Sequence, residues 1–210
     1  MTTVAAIVEG HGEVTAVPGL LRRLLQHYGP PGPLNLPTPI RVPMDRFLNR
    51  DEEFRRHLLL AAAKCGEQGW ILVLLDADDD CPAELGVRVL KRARACVPHR
   101  HVSVVLANRE YEAWFIAAAA SLHGQRGFVF DPGQAADAER GRDAKGWMAK
   151  RMAARSYDET RDQAAFTAIM DLDQAHAGSR SFRKLCSEWR KQMAVPGGGE
   201  ILGTPDDPPA

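Results

Sequence analysis

Carboxylates are the residues of this sequence most clearly placed to do chemistry, because they follow three separate apolar runs. They are Glu9, Glu13, Asp76, Asp78, Glu110 and Glu112. Crowding such groups at one place costs electrostatic free energy unless a cation neutralises them. Mg²⁺ or Mn²⁺ suits this role, because hard cations prefer oxygen ligands and also contact phosphate oxygens. The acids therefore predict a Mg²⁺ (or Mn²⁺) site for chemistry on a phosphodiester.

The apolar runs that precede these acids predict buried strands. Residues 4–8, 70–75 and 101–106 are short and almost wholly apolar, and segments with helical spacing separate them. Alternation of strand and helix predicts an α/β fold in which helices flank a parallel sheet. In such sheets ligands bind beyond the carboxyl ends of the strands, so we expect the three acidic turns to converge there.

The other patterns predict helices, an irregular connection and a helical C-terminal part. Helices are expected over about 14–25, 51–64 and 111–120, and after Pro82, where the outer face is basic. Prolines predict an irregular connection over 30–43, with a short strand at 40–42. Residues 135–192 show helical periodicity typical of two or three helices.

These patterns divide the chain into three parts. We expect an α/β domain over residues 1–125 and a helical extension packed on it over 126–195. Residues 196–210 are rich in proline and predict a disordered tail.

Each acidic motif also has a purely structural interpretation. Glu9 or Glu13 alone could be a charge favoured by the N-terminus of a helix, and residues 78–80 could cap the helix that follows them. The run Gly10-His11-Gly12 begins like a dinucleotide-binding loop. However, Thr15 stands at the third glycine position, and the neighbouring acids would repel a pyrophosphate. The occurrence of acids after three strands favours the metal site.

Composition limits the possible partners and location. The 27 basic residues balance the 27 acidic ones, so any contact with nucleic acid must be local or supplied by a partner. The cysteines are widely spaced and predict free thiols in a reducing compartment: Cys65, Cys81, Cys96 and Cys186. No apolar run approaches the roughly 20 residues of a membrane-spanning helix, and we expect a cytoplasmic protein without membrane contact.

Three motifs resemble those of Toprim proteins. Residues 8–13, VEGHGE, resemble the first Toprim motif in its EGxxE form, and residues 74–78, LLDAD, resemble the DxD motif. Residues 108–114, NREYEAW, are similar to the REfEaw element of Toprim-related prokaryotic proteins, including the overcoming-lysogenization-defect nucleases. The resemblance covers about residues 4–122. It implies a Toprim-like parallel sheet. Topoisomerases and primases would have glycine at Cys81, so the nuclease branch is the better match.

The resemblance also implies a set of metal ligands. The residues that match the motifs are Glu9, Glu13, Asp76 and Asp78, with Glu112 or Glu110 completing a second site. One or two Mg²⁺ ions held there would activate water and stabilise the attacked phosphate.

A lysine after the last motif is a further implied feature. Lys145 is the candidate here, and Lys150, Arg142 and Lys184 are its rivals. With this lysine, the expected catalytic residues are Glu9, Asp76 and Lys145.

The resulting hypothesis is a Mg²⁺-dependent nuclease, with a separate ATPase in prokaryotic defence or DNA maintenance as a candidate partner. One alternative is a non-catalytic Toprim-like scaffold that binds an ATPase or nucleic acid through the basic helix at 180–191. Its residues Phe182, Leu185 and Trp189 share one face, which is more typical of a core-facing stripe. A small phosphate-ester hydrolase is the third possibility.

Overall fold

A parallel sheet forms the centre of the protein. The computed structural model describes residues 2–29, 32–153 and 155–194, so the predicted disordered tail at 196–210 lies outside the described residues. The strands are β1 (Thr2–Val8), β2 (Leu34–Asn35), β3 (Ile40–Arg41), β4 (Trp70–Asp76) and β5 (His101–Ala107). Their order is β2-β1-β4-β5, and β3 pairs with the second half of β1. Every pairing is parallel.

Helices connect the strands and follow the last of them. They are α1 (His11–Tyr28), α2 (Met44–Asn49), α3 (Asp51–Cys65), α4 (Pro82–Cys96), α5 (Ala113–Ala117), α6 (Ala119–Leu122), α7 (Ala144–Ala149), α8 (Glu159–Ile169), α9 (Leu172–Gly178) and α10 (Arg180–Met193). A 3₁₀ turn spans Pro132–Gln134.

Alternating side chains along the strands build a separate core on each face of the sheet. Leu72 and Leu74 of β4 face α1 and the C-terminal helices, and Trp189 of α10 packs in that core. Ile71 and Val73 face α3 and α4. Because both faces are covered, the long strands β1, β4 and β5 are mostly apolar, as expected for a buried parallel sheet. The predicted α/β class with a parallel sheet between helices is therefore confirmed.

Three local predictions differ from the structure. The single helix expected over 111–120 is two short helices, α5 and α6, which begin only at Ala113. The backbone N–H of Tyr111 donates to the Asp76 carboxylate at 2.8 Å, so this residue belongs to a turn rather than a helix. The two or three helices expected over 135–192 are four in the described residues. Strand β2 has two residues, which is too short to leave a pattern in the sequence.

None of the helices in the described residues is both long enough and apolar enough to cross a membrane. The four cysteines are free thiols.

Candidate metal centre

The loops that follow β4 and β5 are hydrogen-bonded to each other beyond the sheet. The N–H of Ala77 donates to the carbonyl of Ala107, and the N–H of Asp78 donates to the carbonyl of Arg109, both at 3.0 Å. Asp78 and Arg109 have φ values of 47° and 65°, which are unfavourable for residues other than glycine. Such strain persists only where the surroundings enforce it, and it is typical of functional sites.

Glu13 lies buried at the start of α1. Its Oε2 accepts hydrogen bonds from the backbone N–H groups of Glu9, at 2.9 Å, and Gly10, at 3.1 Å. The side chain therefore caps the helix, and it also places a negative charge at the helix N-terminus, which is the structural alternative for Glu13. It also lies within electrostatic reach of the carboxylates of Glu9 and Glu112.

Asp76 ends strand β4 and is 7% exposed. Its Oδ1 accepts the Tyr111 N–H, and its Oδ2 lies 3.9 Å from Lys145 Nζ. The charges of Glu13 and Glu112 act on it most strongly among the neighbouring carboxylates. Asp76 is thus the carboxylate of β4 that joins the acids of the other two strand ends.

Glu112 is fully buried, and only one of its two carboxylate oxygens accepts hydrogen bonds from described residues. Its Oε1 accepts hydrogen bonds from Tyr157 Oη and Gln163 Nε2, each at 2.9 Å. Its Oε2 has no hydrogen-bond partner among the described residues, and the same is true of Glu9 Oε2. A buried carboxylate oxygen without a donor is costly, so both atoms mark places where a cation would bind favourably.

The pKa values of Glu9, Glu13, Asp76 and Glu112 also show that negative charge is unfavourable here. Burial, and then repulsion by neighbouring carboxylates, raises the pKa of Glu13 to about 7 and that of Asp76 well above its usual range. Burial also raises the pKa values of Glu9 and Glu112. We call these four residues the carboxylate cluster.

Lys145 supplies positive charge to the carboxylate cluster. Burial alone would lower its pKa, but the carboxylates of Glu112, Asp76 and Glu159 outweigh that effect and raise it. Its Nζ lies 3.3 Å from Glu159 Oε2. The lysine is therefore a permanent cation at neutral pH.

The two remaining predicted ligands have different positions. Asp78 is exposed, although its charge acts on Glu9. Glu110 Oε2 accepts the backbone N–H of Lys145 at 2.8 Å, so Glu110 holds the chain that carries the lysine. The structure thus places Glu110 as a positioning residue rather than as a member of the carboxylate cluster.

The rivals of Lys145 lie elsewhere. Arg142 Nη1 is 3.8 Å from Asp79 Oδ1, and Lys184 Nζ is 2.6 Å from Glu188 Oε1. Lys150 is exposed and forms no ion pair with a described residue. Among these four candidates and the described carboxylates, Lys145 alone pairs with a member of the carboxylate cluster.

Helix α8 brings residues that the sequence analysis did not select. Glu159 reaches Lys145, and Gln163 reaches Glu112. The signal for this contact was the pair of glycines at the start of α1. A Cβ on Gly10 would lie 2.7 Å from Glu159 Oε1, and one on Gly12 would collide with Gln163 Oε1. Helix α8 packs so closely against these two positions that a side chain there would collide with it.

The side chains present fit a divalent cation by chemistry more than by preformed geometry. Glu9 and Glu112 each offer a buried oxygen without a partner, and Asp76 and Glu13 add further oxygens. In the part of the chain that the structure describes, however, no three carboxylate, imidazole or thiol groups already surround one point at ligand distance. The cluster would bind a cation by rearranging its side chains around the charge.

Helix α10 carries the apolar stripe that was considered for a scaffold. Phe182, Leu185 and Trp189 are all fully buried. Lys184 and Lys191 pair with Glu188 on the same helix. The core-facing interpretation of this stripe is confirmed.

Fold and site together define an α/β protein with buried carboxylates at the carboxyl end of a parallel sheet. Residues 8–189 match the family model described as a domain of unknown function, DUF4276. The protein belongs to the DUF4276 family. No curated protein and no solved structure matches the chain.

Proposed function

We propose that this protein is a Mg²⁺- or Mn²⁺-dependent phosphodiester hydrolase of the Toprim-like nuclease kind. The observation that carries the proposal is the group of buried and half-buried carboxylates from three strand ends, in which Glu9 and Glu112 each retain a buried oxygen without a partner among the described residues. A structural role would pair those oxygens with donors or cations, because unpaired buried charge is destabilising.

The residues of the cluster have separable roles in this proposal. Glu9, Glu13, Asp76 and Glu112 would hold the cation, which when bound supplies Lewis-acid activation of water and neutralisation of phosphate charge. Tyr157 and Gln163 fix the orientation of Glu112 by binding its Oε1. Such partners behind a ligand are typical of metal sites and keep its free oxygen aimed at the cation.

Lys145 would act on the substrate rather than on the cation. Its ammonium group stands beside Asp76, and Glu110 fixes the backbone that carries it. A charged donor held in a fixed position stabilises negative charge that develops on a phosphate oxygen. Asp78, which is exposed near Glu9, is positioned to complete the coordination of a cation from the solvent side.

The test is cleavage of labelled DNA and RNA, single-stranded and duplex, with Mg²⁺ or Mn²⁺ and with a chelator. Asp76→Asn keeps an oxygen for the Tyr111 N–H but removes the charge. We expect it to slow cleavage on the order of a hundredfold or more. The matched control is Glu67→Gln, an exposed acid before the amino end of β4, and it should cleave like the wild type.

Equal cleavage by the wild type and Asp76→Asn would remove Asp76 from the mechanism. Failure of the wild type to cleave any of these substrates would favour the scaffold, acting with a separate ATPase or with nucleic acid. The neutral net charge gives a reason to add one further substrate, a small phosphate diester such as bis-p-nitrophenyl phosphate. Hydrolysis of this compound alone would favour a small phosphate-ester hydrolase.

A further inference from the structure

A cavity of about 500 Å³ lies directly beside the carboxylate cluster, between α2 and α4. Glu9 and Asp78 line its edge, so anything bound in it would lie next to the proposed cation. The volume is within the range of small-molecule binding sites. The cavity is therefore placed where a substrate group adjoining the reacting phosphate would go.

The walls of this cavity combine apolar and basic groups. Met44 and Leu48 of α2 are partly exposed and form an apolar wall, and Leu85 and Val89 of α4 lie buried beneath it as part of the core. Arg88, on the same helix, also lines the cavity. An apolar surface next to a guanidinium matches a planar base attached to a phosphate, because Arg recognises phosphate with two donors.

The two arginines of α4 in this cavity are not equivalent. Arg92 donates to the Leu48 carbonyl at 2.6 Å and to Asp51 at 2.8 Å, and it lies over the Phe54 ring. Through these contacts Arg92 connects α4 to α2 and α3. Arg88 is exposed and has no hydrogen bond or ion pair with any described residue. Its guanidinium is therefore available to a ligand.

Charge makes occupancy of this cavity depend on the cation. The lining acids Glu9, Asp45, Asp78 and Asp80 outnumber the basic groups, so a phosphate alone would be repelled. A divalent cation at the carboxylate cluster would neutralise the edge formed by Glu9 and Asp78. The nucleotide and the cation should then bind cooperatively, because each favours the other.

We propose that this cavity binds one nucleotide unit with an unpaired base, its phosphate on Arg88 and its base against Met44, Leu48, Leu85 and Val89. The inference rests on the proposed function and narrows its substrate to a single-stranded polynucleotide. A base within a duplex is stacked and cannot enter such a cavity without leaving the helix, which costs free energy.

The test compares binding of a fluorescent ten-nucleotide single strand of DNA with binding of the duplex of the same sequence. Fluorescence anisotropy is measured with saturating Mn²⁺ at low temperature, and strand integrity is checked by gel on the same samples. We expect the wild type to bind the single strand at least about tenfold more tightly than the duplex. Arg88→Ala should weaken single-strand binding about tenfold, as expected for loss of a charged hydrogen bond.

Two variants control for charge and for folding. Arg88→Lys keeps the charge without the planar fork, so it should recover only part of the affinity. Arg94→Ala removes an exposed arginine of the same helix that does not line the cavity, and it should bind like the wild type. Equal single-strand affinity of Arg88→Ala, Arg94→Ala and the wild type would overturn the inference. So would equal affinity of the wild type for both strand forms.

A calorimetric Mn²⁺ titration of the same proteins separates this inference from the proposed function. If Mn²⁺ binds but Arg88 has no effect, the cavity inference fails and the metal site stands. If Mn²⁺ does not bind, the proposed function fails, and the cation-dependent nucleotide binding inferred here is overturned with it.

Discussion

Glu112 and Asp162 are both fully buried acids near the carboxyl end of the sheet, yet their surroundings are opposite. Asp162 accepts two hydrogen bonds from Arg155, each at 2.6 Å, one from Arg126 at 3.1 Å, and one from the backbone N–H of Asp158 at 2.8 Å. Those donors hold the pKa of Asp162 below its usual value despite burial. Glu112 keeps an oxygen with no described partner, and burial raises its pKa.

The difference separates a carboxylate that supports the fold from one that is held for a ligand. Asp162 receives two guanidinium groups, so its charge is neutralised within the chain. Glu112 receives neutral donors on one oxygen only, and Lys145 acts on it through its charge without a hydrogen bond. The two acids are linked through helix α8, because Gln163, the residue after Asp162, donates a hydrogen bond to Glu112. Helix α8 thus supports the local fold with one residue and orients the candidate ligand with the next.

Neutralising each acid in turn should have opposite effects on stability. We expect Asp162→Asn to lower the free energy of unfolding by about 3 kcal/mol, because it leaves Arg126 and Arg155 without their counter-charge. Glu112→Gln should be close to neutral or stabilising without metal, since it removes a repelled charge. Urea denaturation at neutral pH, with a chelator present, measures both.

A loss of stability in Glu112→Gln as large as that in Asp162→Asn would contradict this comparison. It would mean that Glu112 supports the fold as Asp162 does. The Glu67→Gln variant shows the effect of an exposed acid and should differ from the wild type by less than about 0.5 kcal/mol.

Two glycines of α1 give a second contrast: Gly12 packs closely against α8, whereas Gly19 faces open space. Gly12→Ala should lower stability by about 2 kcal/mol, because its Cβ would lie 2.6 Å from the Glu159 carbonyl oxygen as well as against Gln163. Gly19→Ala meets no atom within 4 Å and should raise stability by about 0.5–1 kcal/mol through helix propensity. Thermal unfolding of the two variants measures the difference.

The Gly12→Ala change should also disturb the site. If α8 shifts, Gln163 leaves Glu112, and Mn²⁺ affinity falls with stability. A Gly12→Ala protein as stable as Gly19→Ala would show that α8 does not pack on α1 as described.

The sequence predicted the strand ends of this fold better than the packing behind them. The apolar runs at 4–8, 70–75 and 101–106 were enough to predict β1, β4 and β5 and the parallel sheet that they form. Strands are found easily when both of their faces are buried, since every position is then apolar. The location of Glu9, Glu13, Asp76 and Glu112 near one another follows from that topology.

Glu159 and Gln163 could not be selected in the same way. Both lie on α8, which contacts α1 although about 150 residues separate their sequences, and no local pattern reports such a distant contact. Gly10 and Gly12 were the only indication in the sequence of the contact between α1 and α8. Small residues there resembled a phosphate-binding loop, but in the structure they make room for α8.

The pH dependence of stability without metal has a definite sign. The pKa of Glu13 is about 7 in the folded protein, above its ordinary 4.5, so the folded state holds its proton longer than the unfolded state. Stability from this group is complete below pH 4.5 and is lost as the pH rises through 7. Without metal, we expect the unfolding free energy to fall by about 2 kcal/mol from pH 5 to pH 7.5.

Saturating Mn²⁺ should remove or reverse that slope, because the cation binds the deprotonated carboxylates. Glu13→Gln should reduce the slope without metal, although Asp76 and the other acids contribute to it with the same sign. A slope unchanged by both the substitution and the cation would contradict the electrostatic account of the cluster.

Calorimetric titration of Mn²⁺ into the wild type, Glu112→Gln and Glu67→Gln tests the central claim most directly. The claim is that the carboxylate cluster is held for a divalent cation. It predicts saturable binding by the wild type and by Glu67→Gln, with an affinity at least about tenfold lower for Glu112→Gln. Absence of binding by the wild type, or equal affinity in all three proteins, would contradict it.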